Sequence, residues 1–385
     1  MLGINSNINS LVAQQNLNGS QNALSQAITR LSSGKRINSA ADDAAGLAIS
    51  TRMQTQINGL NQGVSNANDG VSMIQTASSA LSSLTNSLQR IRQLAVQAST
   101  GTMSTTDQAA LQQEVSQQIQ EVNRIASQTT YNGTNILNGN AGIVSFQVGA
   151  NVGQTISLDL SQSMSAAQIG GGVVQSGQTV GTVTGLSLDS AGKYTSSGAV
   201  ITAVNVTSDG KGGFTFTDQN GTAITGATAS AIFTTSTAAA SNGTTVTQIA
   251  ISSSATSSSM SSASLTAISN AVAQINAVNK PATVSNLDIS TVSGANVAMV
   301  SIDNALQTVN NVQAALGAAQ NRFTAIATSQ QAESTDLSSA QSQITDANFA
   351  QETANMSKNQ VLQQAGISVL AQANSLPQQV LKLLQ

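Results

Sequence analysis

Apolar side chains recur at Ile57, Leu60, Val64, Ala67, Val71 and Ile74, in alternating steps of three and four residues. The run continues through Ala77, Leu81, Leu84, Leu88, Ile91, Ala95 and Ala98, with one short step between Ile74 and Ala77. A repeat held for that long predicts an extended coiled-coil helix rather than a helix of an ordinary globular core. Asp42-Asp43, following Ser39-Ala40-Ala41, would open it, and Thr100-Gly101-Thr102 would close it. Such a helix is about 85 Å long at the usual rise per residue.

A second helix follows, with Leu111, Val115, Ile119, Val122 and Ala126 on one face. The C-terminal third mirrors the pattern with Ile302, Leu306, Val309, Val312, Leu316, Ala319, Phe323 and Ile326, then Leu362, Ala365, Val369, Ala373, Leu376, Val380 and Leu383. The start of the chain has the same character in Ile4, Ile8, Leu11, Leu17, Leu24, Ile28 and Leu31. The polar faces of these helices carry Gln, Asn, Ser and Ala where soluble monomers interleave Lys and Glu. Faces of that kind suit contact with protein better than contact with water.

The middle of the chain changes period. Turn dipeptides appear at Asn132-Gly133, Asn138-Gly139, Asp209-Gly210, Asn220-Gly221 and Asn242-Gly243, with alternating runs such as Phe214-Thr215-Phe216-Thr217 and residues 200–206 between them. These predict hairpins closed by primed turns. One amphipathic helix interrupts, through Leu265, Ile268, Val272 and Ile275, with Pro281 after its end. The expected fold is mainly α: a coiled-coil rod built from both ends of the chain, carrying a β-rich (α+β) insert.

Composition removes most chemistry. The 385 residues include no Cys, His or Trp, and only 8% are charged. Without His or Cys there is no Ser-His-Asp or Cys-His machinery, no common zinc or iron–sulfur ligand set, and no disulfide. A formal net charge of -3 argues against nucleic-acid binding or a polybasic membrane contact. Gly170-Gly171-Gly172 lacks the Lys-Ser/Thr of a phosphate loop, and Gly34-Lys35-Arg36 follows Thr29 where a Walker motif needs Gly. Asp218-Gln219-Asn220-Gly221 shares part of a calcium-loop pattern but lacks the distal Glu, so a hairpin turn is the better reading. Asp42-Asp43 reads as helix N-terminal charge rather than an acid–base dyad. No catalytic residue, metal or cofactor is expected. No apolar run is long enough to span a bilayer, and Met1-Leu2-Gly3-Ile4-Asn5-Ser6 lacks a basic n-region. Residue chemistry alone therefore reads as soluble and cytoplasmic.

Specific strings change that last expectation. Leu31-Ser32-Ser33-Gly34-Lys35-Arg36-Ile37-Asn38-Ser39-Ala40, followed by Asp42-Asp43-Ala44-Ala45-Gly46-Leu47-Ala48-Ile49, closely resembles the N-terminal signature of bacterial flagellins. Asn66-Ala67-Asn68-Asp69-Gly70 and Gln89-Arg90-Ile91-Arg92-Gln93-Leu94-Ala95-Val96-Gln97 do so too. Asn355-Met356-Ser357-Lys358, Leu362-Gln363-Gln364-Ala365-Gly366 and Leu370-Ala371-Gln372-Ala373-Asn374 look like the other end of that family, and Phe146-Gln147-Val148-Gly149-Ala150-Asn151 like its hairpin. The resemblance covers about residues 1–165 and 285–385 and leaves about 170–284 unmatched.

The resemblance implies a subunit of the flagellar filament, secreted unfolded through the flagellar type III apparatus and assembled at the distal tip. It implies terminal helices of an inner tube at residues 1–42 and 344–385, a helical shaft with a small β-hairpin at 43–168 and 285–343, and a variable outer domain at 169–284. Leu24, Ile28, Leu31, Leu362, Val369, Leu376, Val380 and Leu383 would then serve polymerisation. The partners implied are further copies of the chain, an export chaperone at the C-terminal helices, and the filament cap and hook-junction proteins. Residues 89–97 also resemble the patch recognised by the flagellin-sensing Toll-like receptor of animals, with Gln89, Arg90, Leu94 and Glu114 as contacts and Arg90 free to reach the receptor. Gln93 departs from the Glu more usual in that string. Two rival readings are a hook–filament junction protein, or another type III secreted rod component, and an enzyme carried in the insert. A metallopeptidase insert needs His-Glu-x-x-His, which a chain without His cannot supply.

Overall fold

A computed structural model describes residues 7–240 and 244–383, with side chains described through Ser375. Ile4 and the Asn242-Gly243 turn lie outside the described residues, as do the side chains of Leu376, Val380 and Leu383. In chain order the elements are α1 (Ile8–Ser33), α2 (Ala44–Ala98), α3 (Thr105–Gln128), β1 (Thr130–Tyr131), β2 (Thr134–Asn135), β3 (Gly142–Gln147) and β4 (Thr155–Leu160). There follow β5 (Thr179–Leu188), β6 (Ile201–Ser208), β7 (Phe214–Asp218), β8 (Ala223–Ile224), α4 (Gly226–Ile232), β9 (Phe233–Ala239) and β10 (Thr245–Ile251). The chain ends in α5 (Ser262–Val278), α6 (Val292–Thr345) and α7 (Phe349–Leu383). N- and C-terminal helices pair, and the centre is β-rich. Two compact units result, one of residues 1–67, 147–155 and 325–385, the other of residues 68–146 and 156–324.

In the first unit α1 and α7 run antiparallel. The side chains withdrawn from solvent fall at Ala13, Leu17, Ser20, Leu24, Ala27 and Leu31 on α1, and at Asn359, Gln363, Gly366, Leu370 and Ala373 on α7. Both sets keep the three–four spacing, but small and amide residues fill most places, so the two backbones lie close. Gly34 ends α1 in the left-handed conformation, φ +71°, and its N–H donates to the Arg30 carbonyl at 2.9 Å. The connectors on either side are joined by backbone bonds from Arg36 to Thr345 at 2.6 Å and from Ala347 to Gly34 at 2.9 Å. Asp43 opens α2 as its sequence predicts, its Oδ1 accepting the Gly46 N–H at 2.9 Å.

The loop between β3 and β4 rests on α2 in the same unit. A methyl group on Gly63 would overlap the Val148 carbonyl, and one on Gly59 would lie 2.9 Å from the Ala150 methyl. Helix-interior glycine costs about 1 kcal/mol relative to Ala. Here it admits a crossing loop that any side chain would block.

In the second unit, the distal part of α2 buries Met73, Ile74, Ala77, Leu81, Leu84, Leu88, Ile91, Leu94, Ala95 and Ala98. They meet a core that includes Val115 and Val122 of α3 and Ile302, Val309, Leu316 and Phe323 of α6. A Cβ on Gly70 would overlap the Phe323 ring, which meets Phe146 edge-on with centroids 5.2 Å apart. The heptad seam on α2 is therefore real but wider than a single stripe. The insert is a four-stranded antiparallel sheet, β5-β6-β7-β8, with the β9–β10 hairpin and α5 completing its core. Ile268, Val272 and Ile275 of α5 join Val183, Leu186, Val204 and Val206 there. Gly181 lets β5 approach, since a Cβ would stand 2.7 Å from Ile275 Cγ1.

The turns need one correction. Asn132-Gly133 does form a primed two-residue turn, with φ of +48° and +78° and Tyr131 paired to Thr134. At Asp209-Gly210 and Asn220-Gly221 the loops are longer, and Asn132 is the only described non-glycine with positive φ. Those loops are organised by an aspartate. The Asp218 carboxylate accepts the N–H groups of Asn220 at 2.9 Å and Thr222 at 2.7 Å. Asp209 does the same for Lys211 and Gly213, and Asp189 for Ala191 and Lys193.

Candidate functional site

The surface left over when α1 and α7 pair is the first candidate. Ile8, Leu11, Val12 and Ile28 on α1, and Val361, Leu362, Ile367 and Val369 on α7, are exposed although apolar. Leu362 and Val369, together with Ala365, line a groove of about 540 Å³ whose opposite wall is Ala13, Asn16, Leu17, Ser20 and Ala23. Of the polymerisation residues expected from sequence, Leu24 and Leu31 are half-buried between the helices. Ile28, Leu362 and Val369 stay 45–57% exposed, so the fold of one chain leaves them without cover. Exposed apolar side chains gathered on a helix pair mark a candidate interaction surface.

Charge fixes one end of that pair. Arg30 in the last turn of α1 donates from Nη1 to Glu352 Oε1 at 3.4 Å, and Glu352 is buried in the first turn of α7. Each charge also opposes the dipole end of its own helix favourably. The pair brings together residues 322 positions apart, which is why no local spacing announced it.

The second candidate is the patch on α2 around residues 89–97. Gln89 and Arg90 are exposed and Glu114 is half-exposed. Two expectations are corrected here. Arg90 is not free: its Nε lies 2.7 Å and its Nη2 2.6 Å from Glu114 Oε1, and Nη1 reaches Gln93 Oε1 at 3.5 Å. Leu94 is 1% exposed and belongs to the core. The physical reason is that α2 is flanked on two sides, with Arg90 reaching α3 and Arg92 reaching Asp303 of α6 at 2.7 Å. The buried arc therefore takes in Leu94 as well as Ile91 and Ala95. Asp303 also accepts from Gln178, the residue before β5, at 3.1 Å, and it raises the Arg92 pKa by hydrogen bonding and by its charge.

Much of the amide content is spent within the chain. Gln341 donates to the Ser50 carbonyl and to Gln54 Oε1, each at 3.1 Å. Asn66 holds the Gln147 carbonyl at 2.7 Å, and Gln112 bonds both the Leu287 carbonyl and the Ile289 N–H. Among the described residues no group of three or more His, Cys, Asp or Glu side chains could hold a metal ion. No described helix is long and apolar enough to cross a membrane.

A family profile described as "Bacterial flagellin N-terminal helical region" matches residues 4–142, and "Bacterial flagellin C-terminal helical region" matches 299–384. Between them, "Flagellin, D2 domain" matches 172–278. The solved structure of FliC from Burkholderia pseudomallei is 63% identical, covers 66% of this chain and 100% of its own, and superposes with a TM-score of 0.61. The chain belongs to the bacterial flagellin family. Among curated flagellins, the B-type flagellin of Pseudomonas aeruginosa is 53% identical over 44% of this chain. The flagellin of Escherichia coli is 52% identical over 41% of it. Those matches span 34% and 32% of the relatives' own length, so this flagellin covers about a third of each. Flagellins are structural proteins.

Proposed function

We propose that the chain is a structural subunit that self-assembles into the helical bacterial flagellar filament and serves motility. One observation carries the reading: the α1–α7 pair leaves Leu362 and Val369 exposed along a groove that its own chain does not fill, with Ile28 exposed elsewhere on α1. Covering such a face with further copies gains about 25 cal/mol per Å² of apolar area and offsets the entropy of ordering the terminal helices. The contacts are head-to-tail and do not close, so a helical filament results. Family membership supports an extracellular location in that filament. Residues 1–42 and 344–385 act as the tube-forming ends, 43–168 and 285–343 as the shaft, and 169–284 as the outer domain. The export chaperone takes the C-terminal helices before assembly, and cap and hook-junction proteins meet the filament's two ends. The test is a Leu362→Asp, Val369→Asp variant, both sites being solvent-facing in the single chain. It should stay soluble and helical by circular dichroism yet form no filaments in polymerising salt. Regular filaments from that variant sink the reading. Family membership favours a filament subunit over a junction protein, and counting copies per appendage separates them.

A second reading rests on the Arg90–Glu114 pair, which forms an exposed charged patch across α2 and α3 beside Gln89. This patch is the surface for the animal flagellin-sensing Toll-like receptor, with the monomer as ligand. Arg90 is the type of residue enriched at hot spots. Signalling by an Arg90→Ala, Glu114→Ala variant that remains monomeric and folded should fall well below the wild type. Equal potency excludes the patch.

A further inference from the structure

The seam between α1 and α7 specifies its own register poorly. Ser20, Ala13 and Ala27 on one side face Asn359, Gly366 and Ala373 on the other, and the pattern repeats every seven residues along both helices. Sliding one helix by a heptad replaces small residues with small residues. The Arg30–Glu352 pair sets the register at the connector end, and the far end of the pair needs a determinant of its own.

Pro377 lies inside α7, six residues before the helix ends at Leu383. A proline has no N–H, so the carbonyl four residues earlier loses its helical donor. That carbonyl belongs to Ala373, which is buried. It does not stay unpaired: Asn7 Nδ2 donates to it at 2.7 Å. Asn7 is also the N-cap of α1, its Oδ1 accepting the Ser10 N–H at 3.3 Å. One amide thus serves both helices, its oxygen closing the start of α1 and its nitrogen filling the gap made by Pro377. Next to it, Ser10 Oγ bonds Asn374 Oδ1 at 2.8 Å.

We propose that Asn7 and Pro377 form a register lock, in which α1 recognises the one carbonyl of α7 that the helix cannot satisfy itself. Within residues 349–383 Pro377 is the sole proline, so Ala373 is the sole carbonyl deprived of its donor in this way. A heptad slip that brings Asn7 to Gly366 would place it against a carbonyl the helix already bonds, and a slip in either direction would leave the Ala373 carbonyl buried and unpaired. The lock is thus a specificity device for pairing the two chain ends. It rests on the filament reading only in its consequence, because the pairing presents the face that assembly covers.

The conservative variants separate the two jobs of Asn7. Asn7→Asp keeps the acceptor that caps α1 and removes the donor to Ala373. Pro377→Ala restores the N–H and makes that donor redundant. The chain has no cysteine, so Ser10→Cys with Asn374→Cys gives a clean reporter of the native register with a short thiol cross-linker. In that background Asn7→Asp should slow cross-linking about tenfold, the cost of one buried unpaired carbonyl. With Pro377→Ala also present, Asn7→Asp should change the rate less than about twofold. An unchanged rate for Asn7→Asp alone, or an equal loss in both backgrounds, overturns the lock. A parent that cross-links with these dependences but never polymerises in salt leaves the lock standing and defeats the filament reading.

Discussion

At the scale of single residues, the least conspicuous side chains decide most. Gly63 lies where the loop after β3 crosses α2, and a methyl group there has no room beside the Val148 carbonyl. Gly63→Ala should cost about 1–3 kcal/mol, as overpacking does, despite alanine's better helix propensity. A chemical-denaturation midpoint that rises instead would show that the loop moves away freely. The large apolar positions of α2 were legible in sequence because burial follows their size and spacing. Gly59 and Gly63 were not, because a glycine's contact is made by what is absent; their only signal was repetition inside a helix that should avoid them. Asp42 carries a pH dependence. Its carboxylate accepts from Gln26 first, then from the Ser39 and Asn38 backbone, and these bonds lower its pKa below the ordinary 3.8. A lowered value means that the contribution is complete above the unfolded pKa and is lost as pH falls through the folded one. Proteolysis of the connector at 34–43 should therefore accelerate as pH drops below about 4, the unfolded carboxylate value. Asp42→Asn should flatten that acid dependence, and an identical profile in both proteins would dismiss Asp42 as its source.

At the scale of elements, three hairpin ends of the insert use one device. Asp189, Asp209 and Asp218 each accept the N–H groups two and four residues on, and a glycine with positive φ follows at the third position. The carboxylate organises the loop before the strands pair, so the turn type follows from the aspartate rather than from the Asn-Gly or Asp-Gly dipeptide. That is why reading the dipeptides as primed turns located the hairpins but misassigned their geometry. Asp218→Ala should destabilise the insert by about 1 kcal/mol, whereas Asp218→Asn, which keeps the acceptor, should cost much less. Thermal denaturation of the two variants distinguishes a hydrogen-bonding role from a charge effect, which would make them equal. The terminal pair follows the same logic with charge. Removing Glu352 strands Arg30, whose Nε is already buried without a partner. The apolar stripes of α1 and α7 foretold helices. Which stripe faces the other helix could not be foretold, because Ala, Ser and Gly share the seam with Leu17, Leu24, Leu31 and Leu370, while Leu11, Ile28 and Val369, equally large, stay outside.

At the scale of the whole molecule, the question is whether the insert can be removed without harm to assembly. Its two ends meet: the Val284 N–H donates to the Ile169 carbonyl at 3.0 Å and the Ser285 N–H to the Ala166 carbonyl at 2.9 Å. Those bonds lie outside residues 175–280, so a short Gly-Ser bridge across that deletion replaces a closed excursion rather than a structural strut. The Arg92–Asp303 pair also survives, losing only its third member, Gln178. What does change is the surface of α6, because Val297 and Val300 pack into the insert's core and become exposed. The deletion should therefore still polymerise but aggregate more readily as a monomer, and Val297→Thr with Val300→Thr should restore its solubility. Electron microscopy after salt-induced polymerisation provides the reading. Filaments from the bridged, Thr-substituted chain place assembly in the helical parts. Their absence, with the shaft still helical by circular dichroism and the monomer soluble, would mean that the insert itself makes contacts the filament requires.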